Sequence, residues 1–161
     1  SKKASMTRPE TQLKLALYSS ILHLCLGEPS KARKSMKKIL GSDKSFHTLP
    51  SYKTARLVNL LIQAELGNYD FFANEISSIK RTISYEKQMY ITEKLLFRFL
   101  MAHPLPIYRK DREKLWAQYQ KDITRIRQDK YEKQLLKTFD FTAWIESKLT
   151  NIPFREILYS E

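Results

Sequence analysis

Few side chains in this chain stand where they could do bond-making chemistry. Cys25 is the only cysteine, so neither an internal disulfide nor a cysteine-based zinc site can form. The histidines His23, His47 and His103 are scattered, with no HExxH-type pair among them. No nucleophile elbow, no phosphate-cradling glycine loop and no cluster of carboxylates around a histidine occurs. The acids instead alternate with bases, as in Asp111, Arg112, Glu113 and Lys114. This inventory predicts no catalytic residue, no metal site and no cofactor. Cys25 sits among Leu22, Leu24 and Leu26 and reads, like the lone histidines, as structural.

Binding chemistry is better represented. Lysine and arginine exceed aspartate and glutamate by +12, and residues 1–40 carry nine basic against two acidic side chains, +7 of that excess. Lys31, Arg33, Lys34, Lys37 and Lys38 form a run with no acid between Glu28 and Asp43. Such a face can hold phosphates or an acidic peptide, because each contact releases counterions; it can equally be a solvated outer surface. The aromatics Phe71, Phe72, Trp116, Tyr119, Phe139, Phe141 and Trp144 could stack bases if exposed. Their aliphatic neighbours at helical spacing predict core packing instead.

The elements that carry these residues are helices. Only three glycines occur in 161 residues, where average usage predicts roughly eleven, and sheet hairpins need glycine that helices exclude. The first helix is expected over about 9–26, with Thr7 and Glu10 at capping-box spacing and Pro9 in the first turn. It is apolar on two sides, Leu13, Leu17, Ile21 and Leu24 on one, Leu15, Tyr18, Leu22 and Leu26 on the other. Gly27 ends it and Pro29 opens a second helix with a single apolar face, Ala32, Met36 and Ile39.

Shifting by 40 residues repeats the pattern: Leu17 falls on Leu57, Ile21 on Leu61, Gly27 on Gly67, Met36 on Ile76 and Ile39 on Ile79. Helix pairs at about 9–40 and 51–83 are therefore predicted to be repeats, with two-sided and one-sided helices alternating as in a stacked hairpin array. A looser third pair spans about 86–127, broken by Pro104 and Pro106, and a last helix with a short terminal one covers 130–159. The whole of 1–161 reads as one helical-repeat domain of about seven helices. A polar stripe, Tyr52, Arg56, Asn59 and Gln63, recurs by the same superposition as Gln12, Ala16, Ser19 and His23, and aligning Leu95-Leu96 with Leu60-Leu61 sets Lys87, Ile91, Lys94 and Arg98 against it.

The segment Ala64-Glu-Leu-Gly-Asn-Tyr-Asp70 resembles the turn of a tetratricopeptide repeat, and Gly27-Glu-Pro-Ser-Lys-Ala32 resembles the same turn. The period is 40 rather than about 34, and Phe72 stands where alanine is expected. Arg56-Leu-Val-Asn-Leu-Leu-Ile62, Glu65-Leu-Gly-Asn-Tyr-Asp70 and Phe139-Asp-Phe-Thr-Ala-Trp-Ile-Glu-Ser-Lys148 resemble the C-terminal part of bacterial tetratricopeptide-like proteins to which no activity is assigned. The resemblance covers residues 50–150 and implies an α–α superhelix, the tail of a longer protein. It also implies that the first helices of each pair line a concave groove, here partly basic, through Tyr52, Arg56, Asn59, Gln63, Lys87, Lys94 and Arg98.

The expected function is a non-catalytic scaffold that binds an acidic or amphipathic protein or peptide in that groove. The alternative is a nucleic-acid-binding repeat using Lys31, Arg33, Lys34, Lys37 and Lys38. RNA-reading repeats place basic and base-reading side chains at one recurring position per unit, whereas here the clusters fall in helices two and five, which favours protein. The longest apolar run, residues 95–102, is interrupted by Arg98 and too short for a membrane span. With no charged-then-apolar leader the cytoplasm is expected, and an opening on Ser1 reads as a processed or excised piece.

Overall fold

The computed structural model describes residues 8–41, 43–84 and 88–160, and among them no strand forms. The helices are α1 (Pro9–Cys25), α2 (Pro29–Lys37), α3 (Tyr52–Glu65), α4 (Phe72–Ser84), α5 (Ile91–Met101), α6 (Arg109–Gln128), α7 (Lys130–Leu136), α8 (Phe141–Thr150) and α9 (Phe154–Tyr159). Single 3-10 turns, Lys44–Phe46 and Tyr69–Phe71, lead into α3 and α4. Pro9 and Pro29 occupy first turns, where a missing N–H removes no helical bond. Thr7, the expected cap of α1, and Lys87 lie outside the described residues.

Two boundaries differ from the sequence reading. The fifth helix begins at Ile91, and residues 88–90 are not helical. Glu93 Oε1 accepts the Tyr90 amide at 2.8 Å, so the carboxylate closes the helix start there. The segment 130–149, expected as one helix, is two. Asp140 caps the second, its Oδ1 accepting the Ala143 amide at 3.0 Å and the Thr142 hydroxyl. A carboxylate that satisfies first-turn donors favours starting a helix over continuing one.

The two glycine turns match bond for bond. Gly27 (φ +73°) and Gly67 (φ +77°) are left-handed, the region that favours glycine. After α1, the Gly27 amide donates to Leu24 O at 3.1 Å and the Glu28 amide to His23 O at 2.8 Å. After α3, Gly67 donates to Ala64 O at 3.1 Å and Asn68 to Gln63 O at 2.9 Å. Both are Schellman ends, each satisfying two otherwise orphaned carbonyls.

The described residues fall into two compact units, divided between Phe71 and Phe72. In the first, α1 packs on α2, both pack on α3, and Phe46 is buried in the turn against α1. Ser20, buried on α1, donates to Ala32 O at 3.1 Å and so fixes the α1–α2 crossing. Helix α3 is buried nearly all round, through Ala55, Leu57, Val58, Leu60, Leu61 and Ile62.

In the second unit α5 packs against α4, α6 and α8, and α9 closes on α8. Phe99 is its centre, meeting His103, Tyr119 and Trp144 edge-on at ring distances of 5.0, 5.6 and 5.6 Å. Both tryptophans of the chain are here, Trp144 buried on α8 and Trp116 half-buried on α6. Buried Glu132 of α7 accepts the Thr92 amide at 2.7 Å and the Thr92 hydroxyl at 2.9 Å, capping α5 from a residue forty positions away in sequence. Glu132→Ala strands both donors in the interior and should destabilise the protein by about 1–3 kcal/mol in urea denaturation. Glu132→Gln keeps an acceptor oxygen and should lose clearly less; equal losses for the two variants would rule out the cap as the cause.

Candidate functional site

The first helix buries only one of its two apolar sides. Leu13 and Leu17 are buried, whereas Leu15, Tyr18, Leu22 and Leu26 are 65, 58, 57 and 56% exposed. These four lie at i, i+3, i+7 and i+11, one continuous stripe over about three turns of helix. The expectation that an apolar second face is a packed face therefore needs correcting for α1. Periodicity reports that a stripe is apolar and says nothing about what covers it.

The basic run lies beside this stripe, on two different flanks of α2. Ser19 of α1 and Ser35 of α2 share a hydrogen bond of 2.9 Å. Ser19 has Leu15 one turn before it and Leu22 one turn after, so it marks the edge of the stripe. Around Ser35, Lys31, Lys34 and Lys38 at i, i+3 and i+7 form the row on the α1 side. Arg33 and Lys37 fall on the opposite flank of the buried Ala32, Met36 and Ile39. All five cations are exposed. Lys31 Nζ bonds Glu28 Oε2, and this contact, more than any other, holds the Glu28 carboxyl below its usual range. Lys14, at i−4 from Tyr18, flanks the stripe on its other edge and is also exposed.

The residues expected to line a groove are divided between the two units, on α3 and α1 in the first and on α5 in the second. On α3, Tyr52, Arg56, Asn59 and Gln63 are each half-buried. Tyr52 lies against the His47 ring at 4.8 Å, and Gln63 Oε1 accepts from Asn68 Nδ2 at 2.7 Å. On α1, Gln12, Ala16 and His23 are half-buried, but Ser19 is turned to Ser35 and serves the hairpin. On α5, in the second unit, Lys94 and Arg98 are exposed. Arg98 donates to Asp122 Oδ2 at 2.9 Å and lies over the Tyr119 ring at 4.9 Å. The Asp122 hydrogen bond raises the guanidinium pKa further.

Most of the remaining aromatic and thiol groups are enclosed. Phe72, Tyr119, Phe139, Phe141 and Trp144 are buried, so they offer no faces to bases. The Cys25 thiol is half-buried, and burial raises its pKa, which disfavours the reactive thiolate. His103 caps the end of α5, with Nδ1 at 3.0 Å from Phe99 O. Among the described residues no group of three or more His, Cys, Asp or Glu side chains could hold a metal. Among the same residues no helix is long and apolar enough to cross a membrane. A cleft of about 430 Å³ lies between α6 and the end of α8, lined by Arg109, Arg112, Trp116 and Asn151; Arg109 there is bonded to Glu113 at 2.9 Å. Compared with known proteins, the chain matches no family model, no curated protein and no solved structure.

Proposed function

We propose that the chain is a non-catalytic helical-repeat scaffold, tetratricopeptide-like in build, that binds another protein. The observation that carries this reading is the uncovered stripe of Leu15, Tyr18, Leu22 and Leu26. An apolar row of that length left in water costs free energy that a partner would recover. The matched glycine turns at Gly27 and Gly67 support the repeat. The half-buried polar row of α3 in the first unit and, separately, the exposed Lys94 on α5 in the second offer further, more polar contact surfaces.

The test is capture of partners from cell extract by the tagged chain, set beside three variants that retain wild-type helicity. Leu15→Gln with Leu22→Gln alters the stripe, Lys94→Glu the exposed side of α5, and Lys34→Glu with Lys37→Glu the basic run. A retained protein lost from one of the first two variants, and insensitive to nuclease, is the expected result. Retention of nucleic acid at physiological salt, abolished by the third variant alone and falling steeply as salt rises, would replace this reading with the nucleic-acid one.

A further inference from the structure

We infer that the stripe on α1 is the seat of an amphipathic helix with acidic edges, supplied by another protein. This inference rests on the protein-binding reading and names the partner's chemistry. Shape comes first. Forty residues on, Leu15, Tyr18 and Leu22 correspond to Ala55, Val58 and Ile62 of α3, and all three of those are fully buried. The apolar stripe is covered at these positions of α3, and on α1 it is open. A helix with apolar residues at i, i+3, i+4 and i+7 fits a stripe with that spacing.

Charge then selects among helices. The near edge carries the row Lys31, Lys34 and Lys38, joined to the stripe by the Ser19–Ser35 hydrogen bond, and the far edge carries Lys14. Lys34 and Lys14 have no ion-pair partner among the described residues, while Lys31 is held by Glu28. An occupant flanked on both sides by aspartate or glutamate gains from each edge. A second copy of this chain, at net charge +12, would bring lysine rows face to face and be repelled. An occupant would take its affinity from the apolar centre and its orientation from the charged margin.

The experiment titrates the full chain with a stapled helical peptide of about four turns, carrying leucine on one face and glutamate on both edges. A companion peptide carries lysine at the glutamate positions. The glutamate peptide should bind, and the lysine peptide should not. Leu15→Gln with Leu22→Gln should weaken binding about tenfold or more, since two leucine contacts are lost. Lys34→Glu with Lys38→Glu should also weaken it by about tenfold, a difference that shrinks as salt is added. Arg33→Glu with Lys37→Glu, on the opposite flank, should change affinity less than threefold or so, as expected for distant exposed charges.

Equal binding of the two peptides, or indifference to the leucine pair, overturns the proposal. So does tighter binding to phosphatidylserine vesicles than to the glutamate peptide, or a dimer at micromolar concentration that the leucine pair dissolves. If extract proteins are still captured, and only Lys94→Glu releases them, the scaffold reading stands and the α1 seat is wrong.

Discussion

Phe99→Ala should destabilise the second unit by about 3–5 kcal/mol, the range for deleting a fully buried aromatic ring. Phe99 is completely enclosed, and its ring meets three others edge-on, at His103, Tyr119 and Trp144. Each such pair contributes about 0.5–1.5 kcal/mol beyond the area it buries, so alanine removes contacts as well as leaving a hole. The partners cannot collapse into that hole freely. His103 is tied to the Phe99 and Leu100 carbonyls, and Tyr119 lies under Arg98. Phe99→Leu, which keeps most of the volume, should lose markedly less. Urea denaturation followed by circular dichroism measures both, and a loss below about 1 kcal/mol for alanine would mean that the site repacks.

Leu61→Ala is the matching expectation for the first unit, at about 2–5 kcal/mol. Leu61 is fully buried on α3, the most enclosed helix of that unit. Its counterpart forty residues earlier, Ile21, is only half-buried, so Ile21→Ala should cost less than Leu61→Ala in the same urea melts. A loss of under about 0.5 kcal/mol at Leu61 would place it among ordinary surface positions and contradict its burial.

The parts of this fold legible in the sequence were those written locally. Gly27 and Gly67 marked equivalent helix ends because a left-handed residue closing a helix leaves a compositional trace. Prolines mark the first turns of α1 and α2, and the apolar run 95–102 falls on the buried α5. The break at Asp140 was also local, yet continuous apolar spacing on either side masked it. Glu132 left no trace at all. Its partner Thr92 is forty residues distant, and nothing about an isolated glutamate signals that it will cap another helix.

The candidate site is legible to the same limit. Charge and polarity identified the basic run and the α3 wall, but assigning them to flanks required the Ser19–Ser35 contact. Leu15, Tyr18, Leu22 and Leu26 were visible as apolar, and their exposure was not, because a covered stripe and an open one have the same sequence. Arg98 likewise reads as a free groove cation until Asp122 and Tyr119 are seen beneath it.

The placement of Trp116 and Trp144, both beyond Phe71, makes the molecule spectroscopically lopsided. Tryptophan emission follows the surroundings of α6 and α8 alone, whereas the far-ultraviolet helix signal sums over every element. Intrinsic fluorescence can therefore follow loss of the Phe99–Trp144 packing directly, yet it has no reporter on α1, α2 or α3. A tryptophan introduced at the exposed Tyr18 would supply the missing reporter, on the face where a partner helix would shift its emission to the blue.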